Sequence, residues 1–172
     1  MKTEYLLNKE VERVLMLLTP SNRLVMRVCL HTGLRVSDVL ALKTSQLSSR
    51  FWVTESKTGK KKLVGLPHDL LEDLRKYAGK IFVFESRCNQ NRHRTRQAVW
   101  RDVKRAAKAF RLPQNVGVHS ARKIYAVDLL ERYGDLEKVR RALNHRYDST
   151  TMIYAMADAA LRAKARKKRG RA

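Results

Sequence analysis

Apolar residues recur at helical intervals along most of this chain of 172 residues. Val11, Val14, Leu15 and Leu18 follow one another at three- and four-residue spacings, which place them on one face of a helix. Similar spacings continue through most of the remaining sequence, and several of these segments stop at a glycine, as helices often do. The pattern predicts a mainly α-helical domain.

The clearest departure from this periodicity is at residues 51–66. Residues 51–54 and 62–66 are rich in β-branched and aromatic side chains and flank a Thr58-Gly59-Lys60 turn, a pattern that predicts a β-hairpin. The apolar run at residues 81–84 predicts one more short, buried strand. The predicted fold class is therefore mainly α with a small antiparallel β-sheet, an α+β arrangement.

The predicted helices begin at residues that cap or open helices, such as asparagine, serine, threonine, aspartate and proline. Residues 161–172 carry seven Lys or Arg and predict a basic C-terminal tail after a domain of residues 1–160. The helices are expected at residues 9–18, 23–31, from 37, 67–79, 95–110, 120–133, 135–143 and from 149 toward 165, with Asn8, Ser37, Thr95, Asp135 and Ser149 as caps.

The charge is strongly unbalanced, with 38 Lys and Arg against 16 Asp and Glu and a net charge of +22. Self-repulsion of this size favours a polyanionic partner, so a nucleic acid is the expected one, and a merely basic protein or a ribosome-associated one fits the same charge. Cys29 and Cys88 form no CxxC pair and give no zinc or disulfide pattern. No signal segment or run of 18 apolar residues occurs, which indicates no membrane and a cytoplasmic, DNA-associated location in the nucleoid or a host cell.

Cationic and imidazole side chains lie in short motifs along the chain, and a tyrosine follows the last of them. Each motif alone is short enough to occur by chance, but the ordered set is specific. The members are Arg35 in Thr-Gly-Leu-Arg, Lys57 in Ser-Lys-Thr-Gly-Lys, His119 and Arg122 in His-x-x-Arg, His145 in Leu-Asn-His, and Tyr154 nine residues after His145.

These residue types suit attack on a phosphodiester, whose non-bridging oxygens gain negative charge in the transition state. Arg35 and Arg122 are predicted to clamp those oxygens, because a guanidinium offers a planar fork of donors and stays protonated. His145 would add a donor. Tyr154 is the predicted nucleophile and, since tyrosine titrates near pH 10, it needs a base such as His119.

Two further residues are assigned supporting roles. Lys57 lies in the hairpin turn and would give a proton to the leaving 5′-oxygen, and Asp38 would orient Arg35 or a histidine from behind. Neighbouring lysines (Lys60, Lys61 and Lys62) and other tyrosines (Tyr125, Tyr133 and Tyr147) remain alternatives. The sequence has no acidic cluster suited to Mg²⁺ or Zn²⁺, so neither a metal nor another cofactor is expected.

In order, spacing and flanking residues, these motifs resemble the catalytic domain of the tyrosine recombinases, the phage integrase family, from about Leu6 to Ala155. The resemblance implies a helical domain with a three-stranded sheet whose hairpin carries Lys57. It also implies DNA recombination or integration through a 3′-phosphotyrosyl link, without metal or ATP, as for an integrase of a phage or other mobile element. Four protomers would exchange strands through a Holliday junction, with residues 155–172 docking on a neighbour.

Three departures from the family pattern stand out. Asn144 replaces the usual glycine, and Arg122-Lys123-Ile124 replaces Arg-His-Thr. The catalytic pattern also begins within the first ten residues, so the expectation is that an N-terminal core-binding domain is absent, either because the chain is an excised domain or because it is a natural single-domain member.

Other functions fit the same sequence. The chemistry would also serve relaxation or resolution of DNA, as in type IB topoisomerases, and a DNA-binding accessory or regulator could keep the site without recombining. RNA binding is less favoured, because the sequence has no aromatic stacking motif. The predicted DNA-contact residues are Lys43, Lys60, Arg96, Arg101, Lys104 and Arg105.

Overall fold

A computed structural model describes residues 8–112 and 115–143 of the chain. The predicted site residues His145 and Tyr154, and the predicted helix from residue 149, lie outside the described residues. The described elements are α1 (Asn8–Leu17), α2 (Pro20–Thr32), α3 (Val36–Leu40), a 3₁₀ turn (Thr44–Gln46), β1 (Arg50–Thr54), β2 (Lys61–Gly65), α4 (His68–Tyr77), α5 (Arg96–Ala109), α6 (Ser120–Tyr133) and α7 (Leu136–Ala142).

Local capping chemistry accounts for four of the described helix ends. Thr95 accepts a hydrogen bond from the Ala98 backbone amide at the start of α5, and Asp135 accepts two from the first turn of α7, as predicted. Gly33 and Gly134 end α2 and α6 in the left-handed conformation. The mainly helical reading of the sequence is confirmed over these segments.

One predicted helix start and one predicted cap are wrong. Helix α2 begins at Pro20 rather than near residue 23, because a proline in the first turn gives up an amide that has no helical partner there anyway. Ser37 does not cap α3, since it lies inside the first turn, and Arg35 occupies the N-cap position with an extended backbone and no capping side-chain bond.

The hairpin pairs β1 with β2 in antiparallel register, with Phe51 opposite Val64 and Val53 opposite Lys62. Successive side chains alternate between the two faces of the strands. Phe51, Val53 and Val64 are therefore buried, whereas Trp52 is 59 % exposed on the outer face. Lys62 lies on the same inner face as these apolar residues, so its side chain is partly buried.

The predicted third strand at residues 81–84 does not form a ladder. Phe82 makes an isolated bridge with Lys43, and the Phe82 carbonyl accepts a hydrogen bond from Gly79 as this segment turns back on itself. Val83 and Phe84 are fully buried, as the apolar run predicted. The sheet of the described residues consequently has two strands, not the three that the family resemblance implied.

Helix α2 lies at the centre of the domain and packs against α1, α3, α4 and α6, while α5 packs against α1 and α3. These contacts bring the C-terminal end of α2 close to the first turn of α6. None of the described helices is long and apolar enough to cross a membrane. The core is formed mainly by aliphatic side chains, among them Val25, Val28, Val39, Leu40, Leu74, Val99, Val103 and Ala106.

Gly33→Ala tests the packing at the end of α2. Gly33 has φ +67°, and a Cβ atom there would overlap the ring of Tyr125 in α6. Gly134 has φ +63° with open space around it, so Gly134→Ala carries the backbone strain alone, about 1–2 kcal/mol. We expect Gly33→Ala to lower the free energy of unfolding by about a further 1–3 kcal/mol, the usual effect of overpacking. If urea denaturation showed that Gly33→Ala and Gly134→Ala lose the same free energy of unfolding, the close approach of Gly33 to the Tyr125 ring would be contradicted.

Candidate active site

Arg35 enters the site from the connection between α2 and α3. Its extended backbone, φ −72° and ψ 146°, directs the chain out of the Gly33 turn and into α3. The Arg35 side chain is only 16 % exposed, and its NH1 group donates to Oε2 of Glu55 at 2.8 Å. The first predicted arginine is therefore largely buried and held by a carboxylate.

Arg122 reaches the same place from the first turn of α6. Its NH1 donates to the Gly33 carbonyl and its NH2 to the Leu143 carbonyl, both at 2.6 Å. The same NH1 lies 3.8 Å from Oε1 of Glu55. Arg122 is thus fixed by backbone on two sides and joins Arg35 at one carboxylate.

Glu55 is a site residue that the sequence reasoning missed. It follows β1 directly and continues the inward alternation of Phe51 and Val53, which could have identified it. Its side chain is fully buried. Burial alone would raise the pKa of Glu55, but hydrogen bonds from Arg35 and Thr58 and the charges of both arginines lower it below its ordinary value.

Asp38 lies on the other side of Arg35 and is also fully buried. Its Oδ1 accepts hydrogen bonds from the backbone amide of Ser56 at 2.9 Å and from the Ser56 hydroxyl at 2.6 Å. Its Oδ2 lies 3.9 Å from Arg35 NH1. Asp38 was predicted to orient Arg35 or a histidine, and its shortest contacts instead hold the start of the hairpin turn.

Lys57 is exposed in the middle of that turn. The turn around it is held closely: the Thr58 hydroxyl donates to Glu55 Oε2 at 2.9 Å, and the Gly59 amide donates to the Glu55 carbonyl at 2.8 Å. Lys57 therefore extends from an anchored loop beside the two arginines.

Lys62, one of the alternatives to Lys57, is half-buried on the inner face of the hairpin. Its ammonium donates to the Thr32 carbonyl at 2.6 Å and lies 5.4 Å from the centre of the Tyr125 ring. Burial and the positive charges of Arg122 and Arg35 lower the pKa of Lys62 to about 8, against the opposing effect of Glu55. The structure thus separates an exposed lysine in the turn from a half-buried one on the strand.

His119 directly precedes α6 and stands one turn before Arg122. Partial burial and the charges of Arg96, Arg122, Arg35 and Lys123 lower its pKa below 6.5. The imidazole is therefore neutral at pH 7, which is the form that accepts a proton.

Among the tyrosines considered as alternatives, Tyr125 packs against Gly33 and Lys62, and burial raises its pKa. Tyr133 is 52 % exposed near the far end of α6, with the Lys138 ammonium 5.4 Å from its ring centre. Neither position favours a tyrosine nucleophile at the arginine pair. Tyr147 lies outside the described residues, as do Tyr154 and His145, which follow the Leu143 carbonyl that Arg122 binds.

The predicted DNA-contact residues do not share one surface. Lys43, Lys60, Arg96 and Arg101 are exposed. Arg96 stands at the start of α5, close enough to His119 for its charge to lower the histidine pKa. Because an α-helix turns roughly 100° per residue, Arg105 is on the opposite side of α5 from Arg96.

The other two predicted contacts have partners within the protein. Lys104 donates to Asn115 Oδ1 at 2.5 Å, and Arg105 donates to Asp102 Oδ1 at 2.7 Å and to the Leu17 carbonyl at 2.6 Å. These side chains help to join α5 to neighbouring segments.

Within residues 8–112 and 115–143, no group of three His, Cys, Asp or Glu side chains is arranged to hold a metal ion.

The profile of the phage integrase family matches residues 4–160, and the chain therefore belongs to this family, that of the tyrosine recombinases. Two curated relatives are similar to it. The probable integrase/recombinase YoeC of Bacillus subtilis is 29 % identical over 131 residues, which cover 73 % of this chain and 71 % of the relative. A tyrosine recombinase of Thermosipho africanus is 34 % identical over 131 residues, covering 72 % of this chain and 45 % of the relative.

Solved structures of the same class share the fold. A lambda integrase dimer bound to a COC′ core site matches with a TM-score of 0.71 and 25 % identity, covering 91 % of this chain and 60 % of the other. The XerA recombinase matches with a TM-score of 0.75 and 23 % identity, covering 96 % and 63 %. The chain spans about half the length of several curated relatives.

Lys62→Met tests the half-buried ammonium. In the folded protein Lys62 loses its proton near pH 8, whereas an unfolded lysine does so near 10.4, so the unfolded chain binds more protons between these values. Stability of the wild type should therefore rise relative to Lys62→Met from pH 8 to 10, by up to about 1.4 kcal/mol per pH unit.

Urea denaturation across this pH range measures the difference. Lys61→Met removes an exposed amine from the same strand and controls for the loss of one positive charge. If the stability curves of Lys61→Met and Lys62→Met ran parallel, the buried environment of Lys62 would be refuted.

Proposed function

We propose that this chain cleaves and rejoins DNA strands at specific sites, with Tyr154 as the nucleophile. The observation that carries the proposal is the convergence of Arg35 and Arg122 on one buried carboxylate beside an anchored turn that bears Lys57. Membership of the phage integrase family supports the same chemistry.

The arginine pair would bind the non-bridging oxygens of the scissile phosphate. Arg35 and Arg122 are held by protein contacts before DNA arrives, so little reorganisation is needed when charge develops on the phosphate. Preorganised donors of this kind are usually the largest catalytic effect, roughly 3–4 kcal/mol for one donor. His145 would add one more hydrogen bond to the same oxygens.

Strand cleavage then requires two proton movements. As the Tyr154 oxygen attacks phosphorus, its proton passes to His119, whose pKa is already low enough to keep the imidazole neutral. The bond from phosphorus to the 5′-oxygen breaks, and Lys57 supplies the proton that this oxygen needs. The products are a 3′-phosphotyrosyl link and a free 5′-hydroxyl.

Rejoining is the reverse of this step with a different strand. A 5′-hydroxyl attacks the phosphotyrosine and gives its proton back to Lys57, while Tyr154 leaves with a proton returned by His119. Because one phosphodiester-type bond replaces another in each step, the reaction requires no ATP. The arginine pair would stabilise the developing charge and His119 and Lys57 would carry the protons, so the step would need no metal ion. Four protomers on two DNA sites would complete the exchange, with residues 155–172 docking between neighbours.

Duplex binding is assigned mainly to exposed cations. Lys43, Lys60, Arg96 and Arg101 are at the surface and would contact phosphates or base edges. Lys104 and Arg105 would have to exchange their partners Asn115 and Asp102 for DNA. With a net charge of +22, affinity should fall steeply as salt increases.

Tyr154→Phe should abolish covalent capture of DNA. Labelled duplexes of varied sequence, each nicked beside a candidate cleavage position, are incubated in EDTA, and adducts that survive SDS are counted. We expect an adduct with the wild type and none with Tyr154→Phe, because phenylalanine has no hydroxyl to attack phosphorus. Tyr147→Phe is the matched control and should retain the adduct.

The alternatives give different results in the same assay. An adduct that persists in Tyr154→Phe would refute the assigned nucleophile. Tight duplex binding with no adduct from any substrate would favour a DNA-binding regulator. Relaxation of a one-site supercoiled plasmid without recombinant products from two-site DNA would favour a topoisomerase-like activity.

Arg96→Ala should move the acid limb of the cleavage rate to higher pH. The positive charge of Arg96 disfavours the imidazolium form of His119, so its removal raises the pKa of the base. Single-turnover adduct formation is measured from pH 5 to 8 at saturating protein. Arg101→Ala removes a charge further along the same helix and serves as control; equal shifts in both variants would contradict a specific effect on His119.

A further inference from the structure

Glu55 is the one described side chain that both arginines of the site approach. We propose that Glu55 is a positioning residue: it sets the directions of Arg35 and Arg122 and couples them to the turn that carries Lys57. Its effect on DNA cleavage rests on the function proposed above, whereas its effect on the two guanidinium groups does not.

The two carboxylate oxygens of Glu55 have different roles. Oε2 accepts hydrogen bonds from Arg35 NH1 at 2.8 Å and from the Thr58 hydroxyl at 2.9 Å. Oε1 is buried without a hydrogen-bond partner and lies 3.8 Å from Arg122 NH1. A buried carboxylate oxygen without a hydrogen-bond partner destabilises the folded state unless a nearby positive charge offsets the lost hydration. The Arg122 guanidinium is that charge.

The two guanidinium groups need a shared counter-ion to lie side by side. Burial and, after it, the positive charge of Arg35 lower the pKa of Arg122, and the negative charge of Glu55 acts in the opposite direction. The charge of Asp38, like that of Glu55, raises the pKa of Arg122. Asp38, however, directs its hydrogen bonds to Ser56, so Glu55 alone joins Arg35 and Arg122 directly.

Glu55 also organises the turn through its backbone. Its amide donates to the Lys60 carbonyl at 2.9 Å, and its carbonyl accepts from the Gly59 amide at 2.8 Å. The Thr58 hydroxyl adds a side-chain contact from within the turn. Lys57 lies between these contacts, so any displacement of Glu55 would move the lysine relative to the arginine pair.

Glu55→Gln removes the charge and keeps the shape and one acceptor oxygen. At saturating protein and below the melting temperature, we expect the single-turnover rate of adduct formation to fall 10- to 100-fold. Duplex affinity should change less than threefold, because it depends on many phosphate contacts. Glu55→Asp keeps the charge and should recover part of the rate.

Asp102→Asn is the matched control. Asp102 is also a buried carboxylate that binds an arginine, Arg105, but it lies away from the arginine pair and accepts hydrogen bonds from Thr19 and Asn22. This variant should lower thermal stability without changing the rate of adduct formation. A rate loss equal to that of Glu55→Gln would mean that Glu55 acts only through folding, and would overturn the proposal.

A second measurement does not depend on catalysis. In ¹⁵N-arginine NMR spectra of the full chain, Arg35 and Arg122 should give guanidinium resonances with slow rotation and slow exchange, assigned through Arg35→Lys and Arg122→Lys. We expect both resonances to broaden in Glu55→Gln and to persist in Asp102→Asn. If the wild type forms no adduct but the resonances depend on Glu55, the proposed function fails and the positioning role stands. Unchanged resonances, or an unchanged rate in an active protein, would overturn the positioning role.

Discussion

The arrangement of the site depends on the buried Glu55 carboxylate between Arg35 and Arg122. Two guanidinium groups repel each other, and burial makes that repulsion stronger because little water is present to screen it. A buried charge is tolerated when it is paired and hydrogen-bonded. Glu55 supplies the pairing, and the backbone carbonyls of Gly33 and Leu143 supply hydrogen bonds to Arg122. The result is a pair of largely buried guanidinium groups held close together by protein contacts.

The helical packing serves this arrangement. Helix α2 ends at Gly33 with a left-handed residue whose lack of a side chain admits the Tyr125 ring of α6, and its carbonyl receives Arg122. The same approach places Lys62 of the hairpin against the Thr32 carbonyl. The contact between α2 and α6 therefore positions Arg122, while the hairpin holds Arg35 through Glu55.

Much of the local structure could be predicted from the sequence. Thr95, Asp135 and the stop at Gly33 behave as their capping chemistry indicates, and the hairpin lies within a residue of its predicted strands. The errors have local physical causes. Helix α2 begins before residue 23 because Pro20 serves as a first-turn residue, and the apolar run at residues 81–84 is buried without strand pairing because it folds back on Gly79.

The sequence by itself determined the chemical inventory of the site and the elements that carry it, because motif order, helix caps and strand alternation are properties of neighbouring residues. Only the tertiary structure decided which of these groups meet. Arg122 is 67 residues from Glu55 in the chain, and nothing local to either residue indicates their contact. The same is true of the lysines: Lys57 and Lys62 look alike in the sequence, but packing exposes one and half-buries the other. Long-range packing sets burial and charge neighbours, and these decide what each cation can do.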